Sequence, residues 1–383
     1  MLCRDRRCPR LLRRRSPEPG IRADARSRDL GDDREDPVRW MRTRTRQGDE
    51  APAGRAVQPT SVGSSGPLPA DVSAGPVHPP PLQEHLMPHR IVAVIPVFRA
   101  PESLPSTIES ILRQVDSVVV VDDGSRSVDT ITFPERTEVI SAEENRGIAT
   151  ALNTAISRAR EIGATHILTL DQDSALADGH VERLLTRIDA AEAQGVNVAA
   201  AVPGVVGGAP VLNDPTGGPF DPIQSGQLLP VGAFEAIGEF RTDLFIDAVD
   251  SEFTVRAREA GYRFLVDEGL AMEHALGEAV PLSVFGRPLV ILGKQRHVLY
   301  HAPWRTYYMV RNSVWLSRQY GADHRGWMRR RNRKMAEMVL WGSVLAPDRV
   351  AQLRAVRAGW RDGRRGTLGR IRPDVLGRLG RRA

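Results

Sequence analysis

Between residues 90 and 204 the chain alternates between two periodicities, and that alternation limits what it can fold into. "RIVAVIPV" (90–97) is an unbroken, β-branched apolar run, as expected of a strand covered on both faces. "LPSTIESILRQV" (104–115) follows with Leu104, Ile108, Ile111 and Leu112 on one helical face. "SVVVVDDGS" (117–125) and "TEVISA" (137–142) predict two further strands. "NRGIATALNTAISRAREIG" (145–163) predicts a long helix closed by Gly163. "THILTLDQD" (165–173) predicts a fourth strand, and a helix over about 178–194 leads to the strand "NVAAAVPG" (197–204). Strand and helix in strict order predict an α/β fold with a parallel sheet and right-handed crossovers.

The polar residues fall at one kind of place. "PVFR", "DDGS", "AEENRG" and "DQDS" each follow the C-terminal end of a strand, the edge at which open α/β sheets bind ligands. One DxD pattern alone is ordinarily a solvated turn, whereas four clusters on one edge predict a site. Asp178 is placed to cap the helix that follows.

Charge divides the chain into three. Residues 1–86 carry 16 Arg against 12 acids, and residues 324–383 carry 17 basic residues against 4 acids, so with a net charge of +6 the middle is acidic, near −11. An acidic body with a basic C-terminal arm does not suit nucleic-acid binding. It suits a metal-holding cleft and contact with an anionic membrane. The tail over 1–86 is rich in Arg, Pro, Gly and Ser, lacks apolar periodicity and is expected to be disordered, with translation from Met87 as the plainer alternative. No signal peptide and no membrane-spanning run is expected, since the start lacks an apolar core and no stretch of about eighteen apolar residues occurs. The two cysteines, Cys3 and Cys8, lie outside the predicted body, which suits a reducing cytoplasm.

The ordered set "VIPVFR", "SILRQ", "VDDGS", "NRGIATALN", "LDQD" and "FIDAVDSEFTVRAREAGYR" resembles the family 2 glycosyltransferases over about residues 90–320. "QSGQLLP", "EHALGE" and "APWRTYYMVRNS" are similar to the bacterial rhamnosyltransferase branch. The resemblance implies a Rossmann-like, nucleotide-sugar-binding (GT-A type) mostly parallel sheet over 87–320, with a helical extension over 321–383. It implies an inverting enzyme that moves a sugar, best matched by L-rhamnose from dTDP-L-rhamnose, to a cell-envelope glycan or polyprenyl-linked acceptor at the cytoplasmic face of the membrane.

The residue roles it implies are specific. Pro96 and Phe98 would approach the nucleobase, with Arg99 where the family has Asn. Asp122 and Asp123 would face the base, where a carboxylate accepts the ring N–H of uracil or thymine. Gly147 would let the backbone pass close to the nucleotide, and Arg146 would either assist or stay solvated. Asp171 would sit near the ribose, and Asp173 with His274 would hold Mg²⁺ or Mn²⁺, hard cations that need few protein carboxylates and neutralise a departing diphosphate. Asp250 aligns with the catalytic base, although Val249 replaces the acid that normally precedes it, and Asp247 and Glu252 are the runners-up. Read from the residues alone, Asp250 has the alternative of simply capping the helix in "EFTVRAREAG".

The C-terminal helices leave alternatives open. Tyr307, Tyr308, Arg311 and Asn312 would meet the acceptor or its diphosphate, with the aromatics as core the alternative and Arg305 and Arg311 better anion ligands than the tyrosines. Trp327, Met335, Met338, Val339, Leu340 and Trp341 either lie on a membrane or pack on the body. A glycoside hydrolase would also use paired carboxylates, but not nucleotide-facing clusters. A nucleotidyltransferase would need a glycine-rich loop where "PVFRAPESL" has no glycine. A non-catalytic nucleotide-sugar-binding or scaffold protein would lack the base or the metal ligands.

Overall fold

A computed structural model describes residues 89–273 and 278–380, except 282, 285, 286, 289, 292, 293 and 296, with backbone alone at 278–299 and 344. The tail over 1–86 and His274 lie outside these residues. The chain runs through β1 (Ile91–Val97), α1 (Leu104–Ile111), β2 (Ser117–Asp122), β3 (Thr137–Ser141), α2 (Ile148–Glu161) and β4 (His166–Thr169). Then come β5 (Ala175–Leu176), α3 (His180–Glu192), β6 (Val198–Val206), β7 (Ala209–Pro210), β8 (Gln227–Pro230), α4 (Val231–Ile237), α5 (Val249–Glu259) and β9 (Arg263–Glu273). Short antiparallel pairs occupy Glu278 to Tyr300, and α6 (Pro303–Tyr320), α7 (Arg325–Leu345), α8 (Arg349–Arg365) and α9 (Pro373–Arg378) follow.

All seven residues of β1 are buried. Successive strand side chains point to opposite faces, so Val92 and Val94 enter one core while Ile91, Ala93, Ile95 and Val97 enter the other. Leu152, Ala155 and Ile156 of α2 close the first core. Leu104, Ile108 and Ile111 of α1, with Leu184 and Ile188 of α3, close the second. Each such buried side chain contributes roughly 1.5–3 kcal/mol, and the two layers fix the sheet between them.

The sheet order is β3-β2-β1-β4-β8-β6-β9-β5, with β7 on β6. β3, β2, β1 and β4 are parallel neighbours, as are β6 and β9. β8 is reversed between β4 and β6, with Thr169 opposite Gln227 and Ala201 opposite Leu228. The mostly parallel sheet therefore holds, and the strict alternation ends at β6. β8 comes from "QSGQLLP" and runs straight into α4, so no crossover precedes or follows it.

Two boundaries move for identifiable reasons. α2 starts at Ile148 rather than 145, because the N–H groups of Arg146 and Gly147 donate to Asp123 at 2.7 and 2.8 Å and Gly147 takes φ 94°. α3 starts after Gly179, which is left-handed at φ 69°, and no side chain caps it, so Asp178 does not have the expected role.

The 321–383 extension is no separate appendage among the described residues. Met328 is buried in the same core as Val92, Val119 and Leu152, and Trp327 Nε1 donates to Phe220 O at 2.7 Å. α8 presses on α6 through two glycines: a Cβ on Gly359 or Gly363 would lie 2.5 Å from Tyr307 O or Arg311 O. Leu340 and Trp341, each 56% exposed, are the part of the expected apolar face of α7 most open to solvent. No described helix is long and apolar enough to cross a membrane.

Candidate active site

Three loops meet at the C-terminal edge of β1, β2 and β4, tied by backbone-to-side-chain bonds. The N–H of Phe98 donates to Gln172 Oε1 at 3.0 Å, that of Arg99 to Ser125 Oγ at 2.9 Å, and that of Ala100 to Ser127 Oγ at 2.8 Å. Pro96 is buried within β1. Phe98 is 42% exposed, with the Arg99 guanidinium 5.4 Å from its ring centroid.

The two carboxylates of "VDDGS" have different tasks. Asp122 is fully buried, and the N–H and Oγ of Ser125 donate to it at 2.8 and 2.7 Å, with Ser127 Oγ and the Val128 N–H at 3.4 Å. It shapes its own turn and presents no surface to a base, contrary to expectation. Asp123 lies toward the edge and ties the loop before α2; burial pushes its carboxyl above the usual range. Gly147 answers to a close approach within the protein: a Cβ there would lie 2.8 Å from Phe245 Cα.

"DQDS" is backed by residues whose role the sequence did not reveal. Gln224 Nε2 donates to Asp171 Oδ1, the Asp171 N–H donates to Ser225 Oγ at 2.9 Å, and Ser225 Oγ lies 2.7 Å from Ser174 Oγ. Asp173 is exposed at the tip. Among the described residues no three His, Cys, Asp or Glu groups converge on a metal position. Asp173 with Asp171 nonetheless suits a hard cation that takes its remaining ligands from a diphosphate and water.

A second carboxylate group gathers around α5. Asp250 is in its first turn, where the Ser251 N–H donates to it at 2.8 Å, and no side chain caps the helix. Ser251 Oγ donates to Asp221 Oδ2 at 3.1 Å, and Arg331 Nε of α7 donates to Ser251 Oγ at 2.9 Å and lies 3.4 Å from Asp221 Oδ2. Burial first, then the Asp221 charge, push Asp250 up to about 7 against the Ser251 N–H and Arg331; Asp247 adds to the rise. Burial likewise raises Asp221, against Arg331, Ser251, Arg258 and Lys334. Asp247 pairs with Arg305 at 3.3 Å. Among the described residues Asp221 Oδ1, Asp247 Oδ2 and Gln224 Oε1 are buried acceptors without a hydrogen-bond donor. Asp221 and Ser225 are four positions apart in sequence, so at most about 14 Å of chain links the two carboxylate groups.

The backbone carrying this group is strained. Phe245, Asp247 and Ala248 have φ of 67°, 62° and 62°, a region costly for side chains with Cβ. Asn312 Nδ2 donates to Leu244 O, Ile246 O and Asp247 O at 3.1, 2.8 and 2.7 Å, and Arg311 donates to Leu244 O at 2.8 Å and to Gly369 O. Both residues are fully buried, so they brace the loop rather than meet an anion. Tyr307 and Tyr308 are core, and Glu252, paired with Arg256 and Tyr320 at 2.8 Å, is too. Of the expected anion ligands, Arg305 stays partly open to solvent.

Residues 92–230 match the family described as glycosyl transferase family 2. The dTDP-rhamnosyl transferase RfbF of Shigella flexneri is 29% identical, across 61% of this chain and 81% of its own length. The structure of S. aureus TarS 1-349 in complex with UDP-GlcNAc is 13% identical, covering 72% of this chain and 73% of that one at a TM-score of 0.40. A second TarS structure, also 13% identical, matches 60% of this chain at a TM-score of 0.38, and the match spans only 40% of that longer chain. The helix-covered sheet, with loops gathered at the strand ends, thus contains the stretch over residues 92–230 that is similar to the family 2 glycosyltransferases.

Proposed function

We propose that the protein is an inverting glycosyltransferase that moves L-rhamnose from dTDP-β-L-rhamnose to a cell-envelope glycan or polyprenyl-linked acceptor on the cytoplasmic side of the membrane. The observation that carries the proposal is Asp250, a carboxyl raised to about 7 beside Asp221 and Asp247. A base with that proton affinity works best near neutral pH.

Asp250 takes the proton of the acceptor hydroxyl as its oxygen attacks the anomeric carbon, and the bond to the diphosphate breaks on the opposite face. The β-configured donor then gives an α-linked product, with no covalent sugar on the enzyme. Phe98, Asp123 and Asp171 serve the nucleotide side, while Pro96 and Gly147 shape it. The orphaned acceptors on Asp221, Asp247 and Gln224 suit sugar hydroxyls, which donate hydrogen bonds. Mg²⁺ or Mn²⁺ held by Asp173 and His274 would neutralise the departing diphosphate.

The test is nucleoside diphosphate release from a panel of donors, with and without Mn²⁺, followed by the anomeric configuration of the product by NMR. Release from dTDP-rhamnose and an α-linked product are expected. A retained configuration refutes the mechanism, and no release from any donor favours a non-catalytic binding protein.

A further inference from the structure

Helix α8 has a buried and an outward side. Gln352, Ala355, Gly359 and Asp362 face the body. Positions 350, 353, 357, 360 and 364 lie two residues earlier in the same spacing, about 200° around the helix. Val350, Leu353 and Trp360 on that outward stripe are 62%, 63% and 50% exposed. The Arg364 guanidinium lies 4.8 Å from the Trp360 ring centroid.

The neighbouring stripe of α8 opens a cavity against α9 and the residues after it. Its volume is about 590 Å³, and Arg354, Arg357, Arg361 and Arg378 line it. Asp362 takes Arg361 at 2.9 Å, and Asp374 reaches Arg378 only at 4.0 Å. Among the described residues Arg354 and Arg357 have no carboxylate in reach. Residues 349–380 hold nine arginines against two aspartates, so self-repulsion goes largely uncompensated. Four guanidiniums around one open cavity suit phosphate oxygens, which they bind in pairs. The rim adds a second requirement. Leu353, Trp360 and the 39% exposed Leu376 beside Arg378 offer apolar surface that a soluble phosphate compound would leave in water.

We infer that the α8–α9 face docks the protein on an anionic bilayer, with the arginine cavity receiving a lipid headgroup phosphate and Leu353, Trp360 and Leu376 entering the headgroup–acyl boundary. Nothing in this depends on the sugar-transfer chemistry, because no residue of the face belongs to either carboxylate group.

The test is sedimentation of the full chain with phosphatidylcholine vesicles, with and without phosphatidylglycerol. Binding to the anionic vesicles is expected. Replacing Arg354, Arg357 and Arg378 together by Ser should weaken it roughly fivefold per arginine, on the order of a hundredfold in all. Trp360→Ser should weaken it at unchanged charge, and both variants should keep donor turnover in solution. If the triple variant unfolds, Arg357→Ser and Trp360→Ser singly carry the test. Equal sedimentation with neutral vesicles overturns the inference. So does undiminished binding by the variants, which would assign any attraction to the arginine-rich stretch over 1–86. Competition by inorganic phosphate, with Trp360→Ser behaving as wild type, would make the cavity a soluble-anion site instead.

Discussion

Asp250→Asn separates activity from stability, and the structure gives both signs. Losing a general base costs on the order of 10²–10⁴ in turnover, while donor affinity should hold because the residue serves the acceptor side. Stability moves the other way. The Asp250 carboxyl rises from 3.8 to about 7 in the fold, so the folded state prefers the protonated form. Below about pH 4 the group is protonated in both folded and unfolded chains and the shift has no effect. Between about pH 4 and 7 the unfolded carboxyl has ionised while the folded one keeps its proton, so stability falls across that window, by up to roughly 4 kcal/mol in full above about pH 7, from 1.36 kcal/mol for each unit. Residual solvent contact reduces that ceiling. Asparagine never ionises, so the variant should melt above wild type at pH 8, by about 2–4 °C for each kcal/mol recovered, and the gap should close toward pH 4. Calorimetry across pH, with turnover and donor binding at each point, makes the measurement. Normal turnover, or a variant less stable than wild type at pH 8, would refute the reasoning.

Wild-type turnover should fall as pH drops through about 7, when Asp250 protonates, and Asp221→Asn should move that limb to lower pH by removing a like charge; an unmoved limb in the pH–rate profile counts against Asp221 as its tuner. Asp173→Asn should nearly abolish turnover while calorimetry in chelator still records nucleotide binding, and full wild-type turnover in excess chelator would remove the metal. Asn312→Ala removes the side-chain donor from Ile246 O and Asp247 O of the strained loop, while Leu244 O keeps Arg311, and each unsatisfied group costs about 1–3 kcal/mol, so urea melts should shift and turnover should drop with it. Gly147→Ala forces a Cβ against Phe245 at a positive φ and should cost more than about 1 kcal/mol in the same melts.

Residues near in sequence determined most of the sheet and half of the site. β1, α1, β2, β3, α2, β4, α3 and β6 are legible because the strands read as short, mostly apolar runs and the helices carry apolar residues at every third to fourth position, and because the clusters at 96–99, 122–125 and 171–174 fall at strand ends. Other facts needed the tertiary structure. β8 is four residues long, and its place between β4 and β6 depends on ladder partners some sixty and twenty-seven residues upstream. Gln224 and Ser225 became supports for Asp171 through that pairing. Arg311 reads as an anion ligand and Asn312 as an acceptor contact, since the sequence records their charge and polarity but not their burial against the carbonyls of 243–247. Asp221, Ser251 and Arg331 lie on three segments spread over 110 residues, and only folding brings them together beside Asp250. The proton affinity of that carboxyl depends on burial and on charges distant in sequence, so periodicity could place Asp250 at a helix start but could not reveal its raised proton affinity.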